Sequence, residues 1–475
     1  MLPSGIVVLL LFLVADTCGE NPAIQLILNN KGLQYGKHVG AGWIQDKLEL
    51  VTLPDISGDT MFGTLHYTLT GINITKCDFP EPSVQFYQDA TGFKTSVSGF
   101  NIAVTGGWMA RLGLIHDRGS FDMAIFKVDV TSVMGLGEDP DRHLSVTDVS
   151  CEAHVGDVDV QFHGGASWIF KIFVNHIKGR IRGVIEDKIC PYVEESIGNL
   201  EHHLQAVNVS FDVNQDVTLD LPLTGSPVVN VSCLNLGLKG QFYSIKNHSD
   251  PPFKAQPFTV PEQPGYMLSM GLSEFTLNSA LYGYYSAGLF QALINDSMIP
   301  PSLPVHLNTS SMGPFVPQLP KMFPDLLMNL QVYATEVPLF SLQPGAVGLS
   351  VQGTVKASAI QKNATETPLF QLNVDSKFSG KVWIAAGRLK GSMAMNNLSV
   401  TLQGSEVGPV KTEAIEQFMK IGATAVMIKV NEKLGDGVAL PRMKQAQLVN
   451  TVLQVEEGFI AMSSDAQVFL ADIFN

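Results

Sequence analysis

The sequence predicts an α+β protein built from two similar halves, each a twisted antiparallel sheet packed with long amphipathic helices. Three observations carry that prediction. Apolar residues recur at three- and four-residue steps in four long stretches, stretches of period two lie between them, and a proline-rich segment divides the chain near its middle.

Residues 6–14 form an apolar run followed by the small-residue site Thr17-Cys18-Gly19, so 1–19 read as a signal peptide and the exported chain begins near Glu20 or Asn21. No later segment is apolar for the roughly 18 residues that a spanning helix needs. After a short strand at 24–28, Leu33, Gly36, Gly40, Trp43, Ile44, Leu48 and Val51 mark a first helix that ends before Pro54. Val158, Val160 and Phe162 then alternate with Asp157, Asp159, Gln161 and His163, the pattern of a strand with one wet face. A second helix follows from Ile169 through Ile177, Ile181 and Ile185 to Leu204, with a bend expected at Pro191.

Residues 251–264 hold five prolines, which deny ladder hydrogen bonds and stiffen a connector. The expected division is therefore a first domain over 21–245, a linker over 246–264 and a second domain over 265–475. The element pattern then repeats. A strand at 267–272 leads into a helix carrying Phe275, Leu277, Leu281, Tyr285, Leu289 and Leu293 and ending before Pro300-Pro301. Leu349, Val351 and Val355 alternate with polar residues, and Ile415, Phe418, Ile421, Ala425 and Ile428 mark a last helix stopped by Gly435 and Gly437.

Apolar residues are plentiful and charged ones make up only 16% of the chain, which implies either a large core or an interior that holds something apolar besides protein. The formal net charge of −14 excludes nucleic acid, which is gripped by dense basic surfaces, and disfavours anionic membranes as a general partner. Eight Asn-X-Ser/Thr sequons, at Asn73, Asn208, Asn230, Asn247, Asn295, Asn308, Asn363 and Asn397, fit passage through a glycosylating compartment. Beyond Cys18 the chain carries Cys77, Cys151, Cys190 and Cys233, which allow three complete pairings. One of these, Cys151 to Cys190, would clamp strand to helix, and closing its loop would stabilise by about 4 kcal/mol.

The local signatures of catalysis are missing. There is no Gly-x-Ser-x-Gly, no His-Glu-x-x-His, no Walker loop and no Cys-x-x-Cys, so no catalytic or metal site is expected. Gly135-Leu136-Gly137 is followed by Glu138 and Asp139, which repel phosphate, and reads as a hairpin turn. His202-His203 reads as a solvated helix end. The basic cluster Lys171, Lys178, Arg180, Arg182 and Lys188 reads as the wet face of the second helix. Small residues on the helices, Gly36, Gly40 and Gly42 in one half and Gly283, Ala287 and Gly288 in the other, admit two readings: close helix–sheet packing, or a slot the length of an acyl chain.

The stretch Asn30-Lys31-Gly32-Leu33-Gln34-Tyr35-Gly36, continuing through Leu53-Pro54-Asp55-Ile56-Ser57-Gly58, resembles the amino-terminal motif of the family that contains bactericidal permeability-increasing protein and lipopolysaccharide-binding protein. Gly240-Gln241-Phe242-Tyr243, Asp250-Pro251-Pro252-Phe253, Leu272-Ser273-Glu274-Phe275 and Val430-Asn431-Glu432-Lys433-Leu434 with Leu440-Pro441 are similar to later segments of the same family, in the same order. The resemblance implies two barrel-and-helix domains joined by a central sheet into an elongated boomerang, and a disulfide between Cys151 and Cys190. It also implies one phospholipid-sized pocket per domain, and so favours the slot reading. The lining then falls on Leu33, Gly36, Gly40, Trp43, Ile44, Ile177, Ile181 and Ile185 in the first half. In the second it falls on Leu281, Tyr285, Leu289, Phe418, Ile421 and Ala425. No cofactor is implied beyond a bound phospholipid.

Functionally the resemblance implies a secreted protein of innate defence, a monomer or weak dimer, that binds lipopolysaccharide and phospholipid and meets the bacterial outer membrane. The alternative is an extracellular phospholipid carrier. Only residues 469–475 follow the strand at 458–468, so the long amphipathic tail of neutral-lipid transfer members is not expected. Members that grip lipopolysaccharide do so with a basic tip on the first domain. Here the segment after Pro54 has Asp59, Thr60, Met61 and Thr64, and residues 21–250 hold 16 Lys and Arg against 26 Asp and Glu. Trp108, Arg111 and Arg118, in the hairpin around residues 107–118, are the remaining candidates for a head-group tip: an aromatic for the acyl–head boundary beside two cations.

Overall fold

The computed structural model describes residues 20–48, 52–59, 65–165, 167–299, 306–440, 442–443 and 446–469. The signal peptide, the Pro300-Pro301 helix stop and Thr60, Met61 and Thr64 lie outside the described residues.

In the first half β1 (Ile24–Asn29) runs directly into α1 (Asn30–Leu48), which begins and ends close to the expected helix. There follow β2 (Ile56–Asp59), β3 (Leu65–Asp78), β4 (Ser83–Tyr87), β5 (Gly92–Leu112), β6 (Ile115–Glu138) and β7 (Leu144–His163). β3, β5, β6 and β7 pair antiparallel in that order, with β2 added to β3 and β4 to β5. The alternation read in the sequence sets the inner face: Val158 and Val160 are buried with Leu69, Trp108, Phe121 and Ile125. α2 (Trp168–Gln205) closes that face with Phe170, Ile177 and Ile181, all fully buried. α2 continues through Pro191 as one 38-residue helix. Cys190, beside that proline, is bonded to Cys151 on β7 with the Cα atoms 5.6 Å apart, so helix and sheet are tied where the proline removes a backbone hydrogen bond.

The second half repeats the plan. β8 (Cys233–Leu238) precedes the linker, then come β9 (Leu268–Ser273) and α3 (Glu274–Ser286). β10 (Gln291–Ile294), β11 (Met328–Ala334), β12 (Leu339–Gln343), β13 (Ala346–Ile360), β14 (Glu366–Ala385) and β15 (Arg388–Ser405) form the sheet. α4 (Thr412–Asp436) packs on β15, and β16 (Val438–Ala439), β17 (Ala446–Glu456) and β18 (Phe459–Val468) complete the chain. α4 stops at Gly437, whose φ of +65° suits glycine, while Gly435 lies inside the helix.

The halves share a central sheet of order β8-β1-β9-β18-β17, so strands from both ends of the chain meet in it. The proline-rich linker is strapped across this sheet. Asn21, Gln25 and Asn29 donate side-chain N–H groups to the carbonyls of Ala255, Phe258 and Gln263. Phe258 stacks on Phe459 at 4.9 Å, and a Cβ on Gly271 would come within 2.4 Å of Val260. The connector is thus a packed element, which a free tether would not be. No helix among the described residues is long and apolar enough to cross a membrane.

Two element assignments change. α3 ends at Ser286 and Gly288 takes φ +75°, so Leu289 and Leu293 leave the helix; Leu293 sits in β10, paired with Gln331. A four-residue apolar step that crosses a glycine carried the helix too far. Gly135-Leu136-Gly137 is the end of β6, paired with Thr147, Val146 and Ser145, and the turn comes after it at residues 139–143.

Candidate functional site

The far end of the first-half sheet is the β5–β6 hairpin. Leu112 and Ile115 pair across a two-residue turn of Gly113 and Leu114, with Gly113 at φ +58°. Strand alternation then decides which side chains face out. Arg111 lies between His66 of β3 and His116 of β6, and Met109 lies between Thr68 and Arg118, so these residues share the outer face. Arg111 and Arg118 are exposed, as expected, and so are Met109, Ile115 and Leu114, the last at 98%. Asp59 contacts His66, and Asp117 accepts the backbone N–H of Arg118. The tip is therefore a small apolar apex above an outer face that carries two arginines, two histidines and Asp59, with Asp117 on the inward side of the same strand end.

Trp108 is not part of that surface. It occupies the inward parity of β5, is 1% exposed, and its Nε1 donates to the His163 carbonyl at 3.0 Å. Its ring meets Phe170 edge-on at 4.9 Å, and Phe162 stacks on Phe170 at 4.0 Å. Room for the indole comes from Gly119 across the pair, where a Cβ would stand 2.6 Å from Nε1. The head-group role assigned to Trp108 is thereby corrected: it is the core beneath the tip. The side chains that complete the outer face, Met109, His66 and His116, and the two at the apex, Leu114 and Ile115, were not singled out; Ile115 has the inward parity of Leu112 and is exposed because it lies at the sheet's end. Leu114 and Ile115 carried a usable signal, two apolar residues at a glycine turn; His66 carried none, because it joins the face only through strand register.

Beside α1 there is open space. Its first turns are anchored by Lys31 to Asp465 at 2.8 Å, by Gln34 Nε2 donating to the Val84 carbonyl, and by the Val468 N–H donating to the Tyr35 hydroxyl. Leu33 is buried among Phe86, Val229 and Leu234. A Cβ built on Gly36 or Gly40 meets nothing within 4 Å, so neither glycine serves close helix–sheet packing; Gly36 is exposed and Gly40 half-buried, so this space lies at the helix surface and Gly36 lines no enclosed pocket. The side chains of Trp43 and Ile44 lie outside those described. Ile177 and Ile181 correct the expected lining: they are fully buried in the solid core, because the apolar stripe of α2 faces the sheet, and Ile185 packs at its margin.

Of the small residues in the second half, Gly283 is packed, Ala287 is half-buried and Gly288 is exposed. Gly283 abuts Val217 and Tyr243, and Gly288 terminates the helix. α3 is latched by polar groups: the Asn278 amide exchanges hydrogen bonds with the Phe340 backbone, and Ser279 Oγ accepts the Phe242 N–H. Leu281 and Tyr285 are half-buried, and the Tyr285 hydroxyl donates to the Thr335 carbonyl. Leu289 is exposed on the turn after the helix, and Ile421 is exposed on α4, so neither lines an enclosed pocket. Phe418 is half-buried 5.5 Å from Phe315, and the Ala425 side chain lies outside those described.

Asn73, Asn208, Asn247, Asn363 and Asn397 are exposed; Asn230, Asn295 and Asn308 are half-buried. The basic cluster on α2 is its wet face, with Lys178 paired to Asp159 at 2.6 Å. Burial, opposed by Arg180 and aided by Asp59, raises the Tyr67 phenol above its ordinary range. Burial and the carboxylate of Asp250 do the same to Tyr243. Both rings serve the packed interior. Among the described residues no group of three or more His, Cys, Asp or Glu is placed to hold a metal ion.

Residues 32–200 match the family model described as "LBP / BPI / CETP family, N-terminal domain", and residues 212–468 match "LBP / BPI / CETP family, C-terminal domain". Bactericidal permeability-increasing protein of Sebastes schlegelii is 34% identical over 463 residues, covering 96% of this chain and 98% of that protein. Lipopolysaccharide-binding protein of Bos taurus is 28% identical, covering 98% of each. A crystal structure of lipopolysaccharide binding protein superposes with TM-score 0.58 at 24% identity over 94% of this chain and 99% of that one, which is likeness of fold.

Proposed function

The chain belongs to the LBP / BPI / CETP family, and on that footing we propose that it is a secreted lipid-binding protein of innate defence that recognises lipopolysaccharide by binding it, without catalysis. The observation that carries this reading is similarity along nearly the whole chain to proteins named for lipopolysaccharide binding and for bactericidal action. The first-half tip supports it. Arg111 and Arg118 offer charge-assisted hydrogen bonds to lipid phosphates, and Leu114 and Ile115 offer an apolar wedge for the adjoining acyl chains. An acyl-chain site along the surface of α1 left uncovered at Gly36 and Gly40, a phospholipid as resident ligand and a monomer or weak dimer complete the reading.

Immobilised lipopolysaccharide titrated with the purified chain tests the recognition step. Binding should weaken as salt rises, and Arg111→Ala with Arg118→Ala should cost at least about tenfold in affinity. Salt-insensitive binding, or binding unchanged in the double variant, removes the tip from the account. The acidic balance of the first half favours a second reading, an extracellular phospholipid carrier without microbial recognition. Phospholipid transfer between vesicles, in a protein that fails to bind lipopolysaccharide, would select it.

A further inference from the structure

The second-half sheet also ends in a hairpin, and the reading above gives it no task. β14 and β15 turn through Ala386 and Gly387, with Trp383 opposite Lys390 and Ala385 opposite Arg388. Alternation along the strands puts Lys381, Trp383, Arg388 and Lys390 on one face. Val382, on the other face, packs with Leu342, Val347 and Val455. Lys381 and Trp383 are exposed, Trp383 at 39%, Lys390 is half-buried and Gly391 is buried; at the turn the parity gives way, and Leu389, on the Val382 face, is exposed. Arg388 holds the hairpin to the end of α4, its Nε and Nη2 donating to the carbonyls of Asp436 and Gly437 at 2.7 and 2.8 Å. That contact sets Val438, 71% exposed, beside Leu389.

Charge on this hairpin departs from the acidic balance of the chain as a whole. Residues 376–405 hold Lys377, Lys381, Arg388 and Lys390 and no Asp or Glu, in a protein with 44 acidic and 30 basic residues. Neither Lys381 nor Lys390 has an ion-pair partner among the described residues. An acidic protein would satisfy the cations but would leave the indole without apolar contact, as it would Leu389 and Val438, which are exposed on the opposite side of the same hairpin end. A lipid surface supplies phosphate and hydrocarbon together, and amphipathic Trp and Lys side chains span that boundary.

The geometry points to this hairpin as a docking face for an anionic lipid surface, with Trp383 seated between headgroups and acyl chains and Lys381, Arg388 and Lys390 over the phosphates. This goes beyond lipopolysaccharide recognition at the first-half tip and does not rest on it. The test is co-sedimentation of the full chain with phosphatidylcholine vesicles, with and without phosphatidylglycerol and free of lipopolysaccharide, alongside quenching of tryptophan emission by brominated phosphatidylglycerol.

Binding should require phosphatidylglycerol and fall as salt rises. Lys381→Gln with Lys390→Gln should weaken it about 30-fold, about fivefold for each lysine at an anionic surface. The part of the quenching that depends on vesicle docking should be lost in Trp383→Phe. Because Lys381 and Trp383 are exposed and Lys390 is half-buried, thermal unfolding of the variants should stay close to the wild type and certify their fold. Equal binding to neutral vesicles, an unchanged affinity in the lysine double variant, quenching as strong in Trp383→Phe as in the wild type, or capture by polyglutamate in place of vesicles would each overturn the proposal.

Discussion

Replacing Trp108 with alanine separates a core residue from a ligand contact. The side chain is 1% exposed, and an indole of this kind buries about 150–250 Å². At about 25 cal/mol per Å², that burial contributes roughly 4–6 kcal/mol as an upper bound. Loss of the Nε1 bond to the His163 carbonyl adds about 1 kcal/mol. Partial collapse of Phe162 and Phe170 into the space returns part of this, as large-to-small core changes of about 3–5 kcal/mol imply, so the expected cost is about 4 kcal/mol. For a half of this size that lowers Tm by about 10 °C. Circular dichroism melts and urea titration of wild type and Trp108→Ala measure it, with lipopolysaccharide affinity taken well below either melting point. An unchanged Tm together with lost affinity would refute the buried placement and return Trp108 to the ligand surface.

Leu114→Ser should leave unfolding within about 0.5 kcal/mol, since the side chain is 98% exposed, yet weaken capture of lipopolysaccharide aggregates in a binding titration. Cys151→Ser with Cys190→Ser should cost about 2–5 kcal/mol in denaturant unfolding, with the loosening seen as faster amide exchange in α2 beside Pro191. Burial opposes ionisation of Asp465, but hydrogen bonds from Lys31, Asn450 and the Met267 N–H outweigh it and hold the carboxyl below its ordinary value of 3.8. A depressed folded value means the contribution is present above the unfolded value and is lost as pH falls through the folded one. The Tm gap between wild type and Asp465→Asn should therefore be constant near neutrality and close below about pH 4.

Periodicity made the repeated plan legible. α1, α2 and α4 stand where three- and four-residue steps placed them, and Val158 and Val160 take the inner face that alternation assigned. What escaped reading was direction. The segment around Trp108 has glycine or alanine at Gly106, Gly107 and Ala110, so neither parity of β5 announced itself as inner, and the space for the indole is made by Gly119 on another strand. Ile177 and Ile181 have the same helical spacing whether their stripe meets a sheet or a lipid, and only the packed partners decide. Leu289 and Ile421 show the converse, apolar residues in step with a helix that the tertiary fold leaves in water. His66 entered the tip through a pairing with Arg111 some 45 positions away, which no local pattern encodes.

The proposed function stands on two expectations, that this chain carries lipid and that it presents its tip to lipopolysaccharide. Native mass spectrometry of the secreted protein, followed by extraction and identification of whatever it carries, tests the first part without assuming a ligand. The account predicts a protein mass in excess of the glycosylated chain by one or two phospholipids, displaced or joined by lipid A when lipopolysaccharide is added. A protein that leaves the cell without lipid, and takes up neither phospholipid nor lipid A when offered both, would contradict it.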